Sequence, residues 1–157
     1  TPAPLPLGSI FMKTPKPHRF PVRIYYDHTD AGGVVYNANY IRFWEHARAE
    51  VLRDAGILQS QLSREDGNVF VVGELTARYL APARLDDELI VETTVLKIGG
   101  ASMKLQQNIL RRLDKDETLL LKGSVTLVYV THAGQPVRIP DTIRQALEPF
   151  IIAEDPS

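Results

Sequence analysis

Two carboxylates and an imidazole fall within four consecutive residues, Asp27-His28-Thr29-Asp30, and the pair Gly32-Gly33 follows almost at once. A carboxylate in such a loop can attack a carbonyl carbon, or take a proton from the water that does. Glycine lets a ligand approach the backbone closely. A helical pattern begins a few residues later, so unpaired N–H groups at a helix start face whatever occupies the loop. Such donors stabilise the oxyanion of an attacked carbonyl; losing one raises the barrier by about 2.7–4 kcal/mol in a serine protease. Together these are the parts of an acyl-transfer site. The same residue types also fill turns and caps for purely local reasons, so composition alone does not decide. Asp27, His28 and Asp30 match no standard metal-site spacing, and no metal is expected. His46, on the helical stretch, reads as a packed or partly exposed residue and not as a ligand.

The rest of the chain narrows the class. Its 157 residues suit one domain, and 44% hydrophobic with 24% charged residues suits a packed core. A net charge of -1 gives no basic excess for nucleic acid or an anionic membrane. No cysteine is present, which excludes disulfides and thiolate chemistry. No apolar run approaches the roughly 20 residues of a membrane span. Residues 1–18, rich in proline, read as a flexible lead-in, and residues 19–157 as one domain. The expected location is cytoplasmic.

The elements that must hold the loop follow from periodicity. Val22–Tyr26, β-branched and aromatic, predicts a short strand before it. From about Tyr40, Ile41, Trp44, Ala47, Arg48, Val51, Leu52 and Ala55 recur at helical spacing. Asn37 or Asn39 is the expected cap and Gly56 the expected stop. Gln59–Asn68 is looser. Four strands are predicted after it. Val69–Tyr79 is apolar, then alternates; Leu89–Leu96 follows. Met103, Leu105, Gln107 and Ile109 share one face of the third, and Leu119, Leu121, Val125, Leu127 and Tyr129 one face of the fourth. Ile143–Phe150 reads as a closing helix. Consecutive strands joined by short turns form an antiparallel sheet, and the one long helix must lie across a face of it, an α+β layer.

Arg23–Tyr40, followed by Phe43-Trp44-Glu45 and Arg48, resembles the signature of hotdog-fold thioesterases. Tyr79–Ala83, Asp86-Asp87 and Gly100–Met103 extend the likeness over roughly residues 20 to 132. Within that fold the chain is similar to the 4-hydroxybenzoyl-CoA thioesterase-like group, and resembles its acyl-CoA thioesterase branch associated with the Tol–Pal system. The resemblance implies a hotdog fold, a long central helix wrapped by a five-stranded antiparallel sheet. It further implies a homo-oligomer, either a dimer or such dimers paired into a homotetramer, with active sites at the subunit interface.

For the site, the resemblance puts the catalytic aspartate at Asp30 and leaves Asp27 a supporting role. The backbone N–H at Asn37 would face the thioester oxygen. Gly33, Val35, Tyr36 and Tyr40 are the expected substrate contacts, and Trp44 is expected in the core. The reaction implied is hydrolysis of an acyl-CoA without a cofactor. An acyl-carrier-protein substrate and a non-enzymatic acyl-binding or envelope scaffold role are the alternatives. Two positions depart from the family pattern. Asn37 stands where relatives often carry histidine, and Gly99-Gly100-Ala101 replaces a basic cluster used for CoA phosphates; Lys97, Lys104 and Arg78 are the substitutes to consider.

Overall fold

The computed structural model describes residues 16–152. Five strands form one sheet: β1 (His18–Arg23), β2 (Val69–Tyr79), β3 (Glu88–Ile98), β4 (Ser102–Leu113) and β5 (Asp116–Val130). Their spatial order is β1-β3-β4-β5-β2, and every named pair is antiparallel. Helix α1 (Asn37–Asp54) enters between β1 and β2 and packs against the sheet. Short helices follow it in sequence, α2 (Gln59–Asp66) before β2 and α3 (Asp141–Leu147) after β5. The expected α+β layer is therefore present, as one antiparallel sheet with a helix on it.

The α1 face that meets the sheet carries Tyr40, Phe43, Trp44, Ala47, Val51 and Leu52, all buried. Beneath it lie Met103, Leu105 and Ile109 of β4 and Leu121, Val125 and Leu127 of β5. Alternation put these on one face because successive strand side chains point to opposite sides. Gly123 makes the closest approach, with the Trp44 ring set over its bare Cα. Gln107, fully buried, accepts from Arg48 Nη1 at 3.0 Å and donates to Trp44 O at 3.1 Å and Thr93 Oγ1 at 2.9 Å. Burial holds the Arg48 guanidinium below its usual pKa range, an effect that neighbouring Glu45 opposes.

Several local expectations are corrected. The first strand runs His18–Arg23, and Tyr25 and Tyr26 are exposed beyond it, Tyr26 in a 3₁₀ turn. Pro21 within β1 is tolerated because β1 is an edge strand. The lead-in predicted over residues 1–18 lies outside the described residues up to residue 15, and His18 already belongs to β1. Asn37 and Asn39 are inside the helix, and Tyr36 stands at its cap position without a side-chain cap bond. Gly56 does end it, at φ +87°, with Gly56 N–H on Arg53 O and Ile57 N–H on Leu52 O, a Schellman motif. The stretch from Gln59 is helical, although Leu62 is its only large apolar residue.

Three bulges shift the strand pattern; the one in β3 makes Leu96 extra, since Val95 pairs with Leu105 but Lys97 with Lys104. Val72 pairs with Leu127 but Glu74 with Thr126, so Gly73 is extra. That slip lets β2 turn both Val72 and Leu75 to the α1 side. Ile109 pairs with Leu121 but Leu110 with Leu119, so Leu120 is extra. Leu119 consequently sits opposite Leu110 and not on the face of Leu121, where alternation placed it.

Candidate active site

The loop from Asp27 to Tyr36 is a closed bracket. Thr29 and Val35 form an antiparallel bridge, and Asp30 N–H donates to Val34 O at 2.9 Å. Gly33 N–H returns to Asp30 O at 3.0 Å, and Gly33 holds φ +79°, a conformation unfavourable to a side chain. Tyr36 N–H bonds His28 O at 3.0 Å and closes the bracket just before α1 begins. The fold thus turns Asp30 back towards the helix start.

Asp30 is exposed, and its Oδ1 accepts from Gly32 N–H at 2.8 Å. A Cβ on Gly32 would sit 3.2 Å from that oxygen, so glycine there keeps the carboxylate uncrowded. Oδ2 has no hydrogen-bond partner among the described residues. One oxygen fixes the carboxylate and the other faces outward. Asn37, first residue of α1, and Ala38 carry N–H groups for which the helix offers no acceptor. The loop and the helix start therefore present an oriented carboxylate and free backbone donors on one exposed surface, where Gly33 and Tyr36 also lie.

Two expected contacts have a different place. Val35 is buried, with its N–H on Ala83 O at 2.9 Å. Tyr40 is 2% exposed, and its hydroxyl accepts from Ala83 N–H at 2.9 Å. Burial raises the Tyr40 pKa, and the Ala83 bond works against that rise. Both residues brace the loop from behind by gripping Ala83. Tyr79 completes the brace, with its ring edge-on to Tyr40 at 5.4 Å and its hydroxyl 3.3 Å from Asn37 O.

Asn39 is the positioning residue that sequence reading misassigned. Its Nδ2 donates to His28 O at 2.8 Å from a buried position, tying the first turn of α1 to the loop. His28 serves the same frame: Nδ1 accepts from Tyr25 N–H at 2.9 Å, and its ring meets Phe43 edge-on at 5.1 Å. An asparagine two residues inside a helix start was the available signal. Asp27 is exposed in the 3₁₀ turn. Among the cations considered for CoA, Arg78 adjoins Tyr79, whereas Lys97 and Lys104 are cross-strand partners at the far end of the β3–β4 hairpin.

The family pattern agrees with this frame over most of the chain. Residues 24–147 match the thioesterase-like superfamily. The chain belongs to that family. It is 41% identical over 129 residues to an acyl-CoA thioesterase, YbgC, of Haemophilus influenzae, covering 81% of this chain and 91% of that one. A probable thioesterase from Bartonella henselae superposes with a TM-score of 0.72 at 31% identity, covering 79% of this chain and 99% of the other. The 4-hydroxybenzoyl-CoA thioesterase of Pseudomonas sp. strain CBS-3 superposes with a TM-score of 0.77 at 20% identity. That likeness covers 83% of this chain and 99% of the other, and carries the hotdog fold alone. By its family, this protein is a thioester hydrolase.

Proposed function

We propose that this enzyme hydrolyses acyl-CoA thioesters, using the Asp30 carboxylate and the backbone N–H groups at the start of α1. The observation that carries the reading is the Asp30 carboxylate, pinned through Oδ1 and open at Oδ2, on a loop closed directly onto a helix start. The thioester carbonyl sits against the Asn37 N–H, aided by the positive end of the helix dipole. Asp30 draws a proton from water as that water attacks the carbonyl carbon, or attacks the carbon itself to give a mixed anhydride that water then opens. Either way the carbon–sulfur bond breaks, CoA leaves as the thiolate and takes up a proton, and the acid is released. Gly33 and Tyr36 line the approach, while Val35 and Tyr40 hold the frame. The Asn37 side chain cannot act as a general base, so its contribution is to orient the carbonyl or the water.

The proposal includes the Tol–Pal-associated branch, supported by the Asp27–Tyr40 segment, and a homo-oligomer. Support for the latter is the edge strand β2, whose exposed Val69, Val71 and Val72 flank an unpaired ladder. Joined antiparallel, two such edges make one continuous sheet; a monomer in light scattering at micromolar concentration would exclude it.

The deciding experiment is thiol release from acyl-CoAs by wild type and Asp30→Asn. The amide oxygen of asparagine keeps the Gly32 bond, so the fold is retained and only the charge is lost. Turnover should fall by about 10²–10⁴, the usual weight of a positioned acid–base group. Near-normal turnover in the folded variant would sink the role given to Asp30.

A further inference from the structure

A cavity of about 520 Å³ runs between α1 and β2, apart from the loop. That volume is ample for a ligand, since such pockets hold about 300–1,000 Å³. Along α1 it is lined by Ile41, Glu45, Arg48 and Leu52, a single helical stripe. Phe70, Val72 and Leu75 of β2 face them, brought to one side by the Gly73 bulge, and Val69 adjoins the opening. The floor is wholly apolar: Val95, Met103, Leu105, Leu127 and Leu147. The polar rim belongs to Glu45, Arg48, Gln59 and Asn68, and the Arg48 guanidinium is engaged by Gln107.

The upper end reaches Ile41, one helical turn from Asn37. On the opposite wall Leu75 lies four residues before Tyr79, whose hydroxyl meets Asn37 O. Both walls thus lead from the cavity to the helix start where the thioester carbonyl would sit. From Ile41 to Leu52 the trough spans about 16 Å at 1.5 Å per residue. An extended chain advances about 1.1–1.2 Å per bond, because three backbone bonds cover about 3.3–3.6 Å. About fourteen bonds fit, and the turn of about 6 Å from Asn37 to Ile41 takes about five more.

We propose that this trough holds the acyl group and makes the enzyme selective for unbranched aliphatic chains of about sixteen to twenty carbons, by the bond spacing just derived. The inference rests on the thioesterase reading of the Asp30 site and deepens it. A hydroxylated aromatic acyl group would bury its hydroxyl against a floor offering no side-chain partner. A flexible chain meets methyl groups and the adaptable Met103 side chain.

The test is kcat/KM of the purified full chain on acyl-CoAs from acetyl to stearoyl, with benzoyl-CoA beside them. Each methylene taken into the trough should raise it by up to about fourfold, to an optimum at least a hundredfold above acetyl-CoA and benzoyl-CoA. Leu62→Trp, on the cavity wall contributed by α2, and Met103→Phe, on the floor, should each shift the optimum to shorter chains. Each should also lower the ratio of palmitoyl to butyryl turnover at least tenfold. An optimum at acetyl-CoA or benzoyl-CoA would overturn the proposal, as would folded variants with an unchanged ratio. If wild type hydrolyses no acyl-CoA, the Asp30 reading fails separately, and the trough is judged by calorimetric binding of hexadecyl-CoA thioether. Binding weakened at least tenfold in Leu62→Trp would sustain the trough; unchanged binding in that variant, or no binding by wild type, would overturn it.

Discussion

Gly123→Ala asks whether the contact between α1 and the sheet is as close as it looks. A methyl at Gly123 would run into the Thr76 carbonyl oxygen and stand 2.5 Å from Trp44 Cη2. Carbon atoms pack comfortably at about 3.5–4.0 Å, so the indole must retreat by about 1 Å or more. Thr76 is held in the β2–β5 ladder opposite Ser124 and has little room to yield. Overpacking of this kind destabilises by about 1–3 kcal/mol, and two simultaneous obstructions put this site at the upper end or beyond. A loss of about 3 kcal/mol corresponds to a fall of about 6–12 °C in Tm for a chain of this size. Trp44 is the only tryptophan and is fully buried, so its emission and near-ultraviolet dichroism report on this contact without added labels. The variant should show a red-shifted emission together with the lower Tm. Gly73→Ala is the control: its nearest obstacle, at 3.0 Å, is the Val128 side chain, and a change of about 1 kcal/mol or less is expected. A Gly123→Ala protein melting within about 2 °C of wild type would refute the close-contact argument.

Asn39→Ala removes the bond to His28 O and should lower Tm by about 2–4 °C, a loss of about 1 kcal/mol. Because it loosens the Asp30 loop, kcat should fall about tenfold or more while KM changes little; steady-state kinetics separates the two. Asn37→His restores a general base beside the thioester and should raise kcat at least about tenfold, with a new dependence on pH near 6.5. Tyr40 supplies a pH prediction. Its folded-state pKa is raised by burial, so its stabilising contribution is complete below the unfolded value of about 10 and is lost as pH rises through the folded one. Denaturant titrations should therefore show stability declining above pH of about 10, with a shallower decline in Tyr40→Phe.

The legible parts of this fold were those set by local repetition. Met103, Leu105, Gln107 and Ile109 all face inward as their alternation required, and α1 runs where the helical period ran. What escaped were features set by contacts distant in sequence. Nothing around Leu120 announces a bulge, because the signal lies in its pairing with Ile109 and Leu110. Tyr25 and Tyr26 have strand-like composition, but the ladder to β3 ends at Arg23. At the site, Asp30 and the glycines were visible because the chemistry and the turn share one short segment. The roles of Tyr40 and Val35 depend on Ala83, some forty residues away, and no local pattern discloses that partner.

The bulge at Leu120 also bears on which lengths of chain this architecture tolerates. Leu120 O takes N–H groups from both Leu80 (2.8 Å) and Ala81 (3.3 Å), steering the chain after β2 towards Ala83. Removing that one residue would leave Leu119 and Leu121 on the faces and partners they already have, but it would take away the carbonyl that receives both N–H groups. The loop that carries Asp30 would lose its anchor without any of its own residues being touched. Single-residue deletions in β5 are therefore far more damaging than the surface turns at Asp114 or Gly134 would suggest. A lineage carrying this fold can lengthen its loops freely but inherits the length of this strand as a fixed quantity.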